Sequence, residues 1–209
     1  MVSVPLRIGL FGGTFDPPHV GHIAAAVNVR HALGLDRVLM MVASDPYQKS
    51  AVRTVTPADA RLEMTRAACA GVPGLEVSDA EIVRGGQTFT FDTVRDILSS
   101  APDTDIFVIV GGDTAARVES WHRWHELAEI VHFVVIARGD DELSLPRSID
   151  WIRVDTPVIE CSSTDLRRRL SDGGDTNHFL PRSVLDVIHA RHLYVDDSRR
   201  QPLTANTAS

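Results

Sequence analysis

Gly12-Gly13-Thr14-Phe15-Asp16-Pro17-Pro18-His19-Val20-Gly21-His22 is the stretch whose reading decides the fold of this 209-residue chain. An apolar run from Leu6 to Phe11 precedes it and reads as a buried parallel strand. The alanine-rich run from Ile23 to Leu33 follows it and reads as a helix. The chain thus passes from strand through a glycine turn into a helix start, where open α/β sheets place ligands. Pro17 and Pro18 lack N–H groups, which is tolerated before and at a helix start. His19 and His22 are spaced to project from one face of the first helical turn. Unpaired N–H groups and the helix dipole favour an anion there. Two imidazoles beside such a helix end point to phosphate chemistry.

Other phosphate loops are excluded by pattern. Neither G-x-x-x-x-G-K-[ST] nor G-x-G-x-x-G occurs in the chain. A zinc site on His19 and His22 lacks a third ligand in the pattern, the only cysteines being Cys69 and Cys161. A glycine turn flanked by two exposed histidines is the plain alternative.

Hydrophobic residues make up 44% of the chain, enough for one domain with a sizeable core or one domain with a small lobe. The formal net charge of −7 argues against a general nucleic-acid-binding surface. An anionic substrate would need a local basic island in an acidic protein. Two cysteines far apart in sequence indicate no disulfide framework, and a reduced, cytoplasmic protein fits. No secretory leader is expected, since the special loop opens by Gly12. No membrane span is expected either, since no apolar run approaches the roughly 20 residues that cross a bilayer. Of 21 basic residues only Lys49 is a lysine. A single lysine in a polar loop is a candidate for function, with a solvated surface lysine as the alternative.

Gly34 should stop the first helix. Arg37 to Ala43 reads as a second strand, and Ser44 to Ser50 as a polar loop. Thr56 as N-cap with Pro57 behind it predicts a helix from Ala58 to Ala70. Leu75 to Ser78 reads as a short strand and Glu81 to Gln87 as a loop around Gly85 and Gly86. A helix capped by Thr90 or Asp92 should run to Leu98. Asp105 to Val110 reads as a core strand ending in Gly111-Gly112-Asp113, followed by a helix from Thr114 toward Glu119. Ile130 to Ala137 reads as a strand ending at Arg138, Asp140 to Ile149 as a surface loop, and Trp151 to Val154 as a short strand. Ser162 to Leu170 and Pro181 to His192 read as helices, and 196–209 as a disordered tail. Apolar strands alternating with helices predict an α/β fold, a parallel sheet flanked by helices on both faces. One domain is expected over 1–195, with about 162–195 as a small C-terminal helical extension.

The residues of interest follow strand ends: Gly12 to His22, Lys49, Gly111 to Asp113, Arg138, and Ser162 to Arg167. In a parallel sheet such positions meet along one edge. Ser162, Ser163 and Thr164 read as the N-cap and first turn of a helix, a second anion site, with Arg167 on the face of Ser163. Simple capping is the alternative there. At least one of Arg168 and Arg169 should point to solvent. His122/His125 and His189/His192 repeat the three-residue spacing without the glycine or strand context, and read as helix-surface residues.

His19-Val20-Gly21-His22 meets the (T/H)xGH signature of the nucleotidyltransferase superfamily, and the full stretch most resembles the nicotinate-nucleotide adenylyltransferase family. Ser162-Ser163-Thr164-Asp165-Leu166-Arg167 is similar to that family's ISSTxIR segment, with Cys161 in place of the usual isoleucine. Gly85 to Thr93 (GGQTFTFDT) is similar to its SYTxDT segment, with Thr88 and Phe89 in place of Ser and Tyr. The resemblance runs from about Arg7 to Tyr194.

The resemblance implies a Rossmann-like nucleotidyltransferase fold. It implies transfer of the adenylyl group of ATP to nicotinate mononucleotide, giving deamido-NAD and pyrophosphate in NAD biosynthesis, by direct in-line attack without a covalent intermediate. It implies Mg2+ carried by the ATP phosphates, with no protein ligand named. Another nucleotidyltransferase, such as a pantetheine-phosphate adenylyltransferase, is the alternative, and a homo-oligomer stays open. His19, His22, Lys49 and Arg167 would then be catalytic. Gly12, Gly13, Thr14 and Phe15 would hold ATP together with both histidines, Gly111, Asp113, Ser162, Ser163, Thr164 and Arg167. Lys49, Gly86, Thr88, Phe89, Thr90, Trp121 and Arg138 would take the nicotinate nucleotide. Asp113 has helix capping as an alternative role, Arg138 an ion pair, and the neighbouring Trp124 core packing.

Overall fold

The apolar runs of the sequence become strands because each is covered on both faces. In the computed structural model, which describes residues 4–45, 54–139 and 143–195, the strands are β1 (Leu6–Gly13), β2 (Arg37–Val42), β3 (Leu75–Ser78), β4 (Thr104–Gly111), β5 (His132–Arg138) and β6 (Trp151–Thr156). They form one sheet in the order β3-β2-β1-β4-β5-β6, every neighbouring pair parallel. The chain steps outward from β1 to β3, returns to β4 beside β1, and steps outward the other way. Connections leaving β1 and β4 therefore diverge to opposite sides and open a crevice at the strand C-termini.

The helices are α1 (Val20–Leu33), α2 (Ala58–Cys69), α3 (Ala80–Arg84), α4 (Thr90–Ser100), α5 (Gly112–Ala115), α6 (Trp124–Ala128), α7 (Ser163–Asp172) and α8 (Arg182–Ala190), with a 3-10 turn at Val118–Ser120. Strand side chains alternate between faces. Phe11, Met40, Phe107 and Ile109 join Ala26 and Val29 of α1 on one face. Leu10, Met41, Ile106, Val108 and Val110 join Phe91 and Val94 of α4 on the other. Gly34 ends α1 in the left-handed region at φ 58°, where an L side chain would be strained. A third core joins Met64 and Ala68 of α2 to Leu166 of α7 and to Val184, Leu185 and Ile188 of α8. Truncating one such buried leucine costs about 2–5 kcal/mol, so this core anchors α7 on α2.

Several local expectations differ from the structure. The segment expected as a loop from Glu81 to Gln87 begins instead with α3. Thr56 is not the cap of α2: Pro57 holds the N-cap position, and the Thr56 carbonyl accepts a bond from Arg61. Phe89, not Thr90 or Asp92, is the N-cap of α4. In place of the helix expected from Thr114 toward Glu119 stand α5 and the 3-10 turn, and a further short helix, α6, opens at Trp124, with Trp121 and Trp124 packed on the core formed with α4. Residues 196–209 lie outside the described residues.

Helix α3 forms where the sequence suggested a loop because its glutamate is clasped. Glu81 is 5% exposed. Its Oε1 accepts from the Thr93 hydroxyl at 2.8 Å, and Arg84 Nη2 donates to the same hydroxyl at 2.8 Å. Burial raises the Glu81 pKa above its ordinary 4.5, while the Thr93 bond and the Arg84 charge oppose the rise. A carboxyl whose folded pKa lies above its unfolded value supports the fold below the unfolded pKa, and that support is lost as pH rises through the folded value. Glu81→Gln keeps an acceptor for Thr93 and stays neutral. Its stability relative to wild type should therefore grow as pH rises above the ordinary 4.5. Urea midpoints of both proteins over that rise check this, and a difference that does not change with pH would contradict it.

Candidate active site

The loop from β1 into α1 is built on a close approach. At Gly13 a Cβ would lie 2.7 Å from the Phe15 ring, so only glycine lets that ring fold back over the strand end. Phe15 itself adopts φ 49°, a left-handed conformation that costs a bulky residue of order 1–3 kcal/mol. Its ring meets Phe11 edge-on at 6.0 Å and His22 edge-on at 5.1 Å. The two histidine rings lie 3.8 Å apart, tilted by 32°. His19 is the N-cap residue of α1, and its backbone N–H donates to His22 Nδ1 at 3.2 Å. A neutral imidazole that accepts at Nδ1 carries its hydrogen on Nε2. His22 is thereby oriented as a donor.

Two of the first amides of α1 are already committed. Val20 N–H donates to the Phe179 carbonyl at 3.0 Å and His22 N–H to the His19 carbonyl at 2.9 Å. The helix start presents imidazoles to an anion more than the row of unpaired amides that the sequence suggested.

Helix α7 faces this loop and is bonded to it. Ser162 caps the helix, its Oγ accepting from Asp165 N–H at 3.1 Å. The next hydroxyl, Ser163 Oγ, donates to the Pro17 carbonyl at 2.9 Å. Arg167 Nη1 donates to the Asp16 carbonyl at 2.7 Å, and Nη2 to Thr164 Oγ1 at 3.2 Å. Arg168 and Arg169 both turn to Asp165, each at 2.6 Å. From the C-terminal side, the Tyr194 hydroxyl donates to Asp16 Oδ1 at 2.7 Å. Burial and the Asp16 charge push the Tyr194 pKa up.

These elements enclose one cavity of about 1250 Å3 at the C-terminal edge of the sheet. It brings together Gly12 to Phe15, His19 and His22 from the β1 side, Gly111 and Asp113 from the end of β4, and Ser162 to Thr164 with Arg167 from α7. Thr88, Phe89, Thr90 and Trp121 line its other end. Thr88 Oγ1 is buried there without a hydrogen-bond partner among the described residues, a state that costs about 1–3 kcal/mol unless a ligand answers it. Gly86 does not line the cavity among the described residues. Arg138 is the last residue of β5, paired in register with Thr156. Lys49 lies outside the described residues. Trp124 stacks on His125 at 3.6 Å, packs on the core shared with α4, and is not among the residues that line the cavity.

Some lining residues were not anticipated. His122, expected on a helix surface, sits between the 3-10 turn and α6, 4.6 Å from the Phe89 ring at the cavity wall. Its three-residue spacing to His125 belongs to no single helix. Asp16, Asp45 and Glu81 also line the cavity. The wall therefore carries both signs of charge, and the basic island expected from the sequence is only partial among the described residues. Nothing in local spacing marks Tyr194 or Glu81, because both reach the site through packing of elements distant in sequence.

Among the described residues no group of three or more His, Cys, Asp or Glu side chains could hold a metal ion. The arrangement offers fixed donors and a buttressed loop for phosphate groups.

Comparison with known proteins identifies the family. The cytidylyltransferase-like family model matches residues 10–169. A protein of Leifsonia xyli subsp. xyli, named a probable nicotinate-nucleotide adenylyltransferase, is 39% identical over 191 residues, covering 90% of this chain and 94% of that one. One of the same name from Exiguobacterium sibiricum is 36% identical over 189 residues, covering 90% and 99%. The fold is shared with the Plasmodium falciparum nicotinic acid mononucleotide adenylyltransferase complexed with NaAD, at a TM-score of 0.73 and 18% identity over 90% of this chain and 97% of that one. The chain belongs to the nicotinate-nucleotide adenylyltransferase family, within the cytidylyltransferase-like proteins.

Proposed function

We propose that the cavity between β1 and β4 holds ATP and nicotinate mononucleotide together and joins them by direct displacement. The chain is an enzyme of NAD biosynthesis: it transfers the adenylyl group of ATP to nicotinate mononucleotide, giving deamido-NAD and pyrophosphate. A phosphate oxygen of the mononucleotide forms a bond to the α-phosphorus of ATP, and the bond from that phosphorus to the bridging β-oxygen breaks. The attacking oxygen is already an anion, so no general base and no covalent intermediate is needed. What the protein must supply is alignment of two anions and donors for the charge that grows on the leaving oxygen.

The observation that carries this assignment is the bonding of α7 to the β1–α1 loop, Ser163 to Pro17 and Arg167 to Asp16. It sets the two phosphate-facing segments on one cavity. In this assignment His22, oriented through its Nδ1, donates to the α-phosphate, with His19 beside it. The backbone of Gly12 to Phe15 meets the triphosphate and the incoming phosphate. Thr164 and Arg167 take the β- and γ-phosphates, Ser162 and Ser163 cap and anchor the helix that carries them, and Lys49 is a point charge on a phosphate. Gly111 and Asp113 take the adenosine ribose. Thr88, Phe89, Thr90 and Trp121 surround the pyridine ring, with Gly86 and Arg138 near it. Mg2+ enters with the triphosphate. Phosphate oxygens and water would hold the ion. Residues 1–195 act as one unit, since α7 supplies part of the site. We read the protein as a soluble cytoplasmic enzyme whose partners are these small molecules.

Purified protein given ATP and magnesium should release pyrophosphate with nicotinate mononucleotide and not with phosphopantetheine. Nicotinamide mononucleotide in a parallel reaction measures the acid-over-amide preference. Release with phosphopantetheine alone would reassign the substrate. His22→Ala should lower kcat by about 10²–10³ while the protein stays folded by circular dichroism; turnover near wild type would remove His22 from the reaction. Trp121→Ala should raise KM for nicotinate mononucleotide more than KM for ATP, and equal rises would mark Trp121 as packing only.

A further inference from the structure

Arg61 lies in the first turn of α2 and is 1% exposed. Its guanidinium is spread over four backbone carbonyls. Nε donates to Thr56 O at 2.7 Å, Nη1 to Thr14 O at 3.0 Å and to Ala43 O at 2.8 Å, and Nη2 to Ser44 O at 3.0 Å. Four of its five N–H donors are thus spent on main chain. The carbonyls belong to three separate places: the phosphate-facing loop after β1, the end of β2, and the approach to α2. Ser44 and Thr56 bracket the stretch between β2 and α2, so one side chain fastens both of its ends.

The Thr14 bond has a directional consequence. A trans peptide is planar, and its C=O and N–H point opposite ways. Thr14 and Phe15 line the cavity, whereas Arg61 stands behind the wall. With the Thr14 oxygen drawn back to Arg61, the N–H of Phe15 is turned to the cavity side. Were that peptide to rotate, a carbonyl oxygen would face the phosphates instead. Phe15 is also the residue at φ 49°, so the orientation is one that the local chain does not favour and that something outside it must hold.

We propose that Arg61 is a positioning residue for adenylyl transfer. It keeps the Thr14–Phe15 peptide with its N–H toward the reacting phosphates and ties that loop to both ends of the stretch between β2 and α2. It touches neither substrate. The assignment rests on the cavity being the adenylyl-transfer site, which the pyrophosphate assay of the wild-type enzyme tests separately. A lysine keeps the charge but, as a compact ammonium with three donors, it cannot span four carbonyls in a plane. A methionine keeps the apolar stem and removes both charge and donors.

Arg61→Lys and Arg61→Met are compared with wild type by thermal melting, and by kcat and KM for both substrates, at a temperature where each is folded. The expected result is a fall in kcat of about tenfold to a hundredfold in Arg61→Met, a smaller fall in Arg61→Lys, and KM values within about threefold of wild type. Because thermal melting shows each variant folded at the assay temperature, a fall in kcat there is a loss per folded enzyme, graded by how many donors remain, whereas a purely structural residue would change only the amount of folded enzyme and leave kcat per folded molecule at the wild-type value. Folded variants with wild-type kcat overturn the proposal. So does a pair of variants for which no assay temperature leaves folded protein, which would make Arg61 a residue of the fold alone. An inactive wild-type enzyme would instead overturn the assignment of the cavity.

Discussion

Between β1 and α1 the chain brings to the cavity wall a backbone whose carbonyl oxygens would repel an anion. The structure answers by occupying those oxygens from behind. The Gly13 carbonyl accepts from Ala43 N–H, Thr14 from Arg61, Asp16 from Arg167 and Pro17 from Ser163. Pro17 and Pro18 add no N–H groups that would compete for partners. The loop is thereby fixed by donors from β2, α2 and α7, none of which is its sequence neighbour. Each such bond is worth about 1 kcal/mol net, and somewhat more where the donor is charged. Four acting on five residues are enough to outweigh the backbone cost of Phe15.

The parallel sheet makes this arrangement possible. Its order reverses between β1 and β4, so the crevice opens where two connections diverge, and the elements around it can approach from either side. Helix α7 comes from the far end of the chain. It stays in place through the core it shares with α2 and α8, where Leu166, Val184 and Leu185 are buried. Packing energy at that core is what holds Ser163 and Arg167 against the loop. The same logic places Tyr194 beside Asp16 and sets the clasp of Glu81, Thr93 and Arg84 at the part of the cavity lined by Thr88, Phe89 and Thr90.

Electrostatics in the cavity are local rather than general. The whole chain is acidic, and carboxyl groups line the wall beside the histidines and Arg167. Asp16 is held by the Tyr194 hydroxyl, and burial favours the neutral form of Glu81. The anionic groups near the site are thus partly answered by hydrogen bonding and, at Glu81, by burial that opposes ionisation. In the proposed assignment, orientation of dipoles, in the imidazole of His22 and the peptides of the loop, carries more of the anion recognition than net charge does.

Most of the architecture was legible in the sequence, because a parallel strand buried on both faces leaves a continuous apolar run that can be read without context. Leu6 to Phe11, Arg37 to Ala43 and Asp105 to Val110 were strands on that ground, and the junctions that follow them could only meet on one edge. The glycine, proline and histidine pattern of residues 12–22 and the hydroxyl run of 162–164 were legible too, since close backbone approach and helix capping demand particular residue types at fixed spacing. Short elements were not: α3 and α6 depend on Glu81 finding Thr93 and on the two tryptophans finding the core, contacts made between segments rather than within one. Nor could any pattern single out Arg61 among the arginines, or join Tyr194 to Asp16. A side chain that bonds to distant backbone carries no local periodicity, so its role exists only once the chain has folded and brought those carbonyls within its reach.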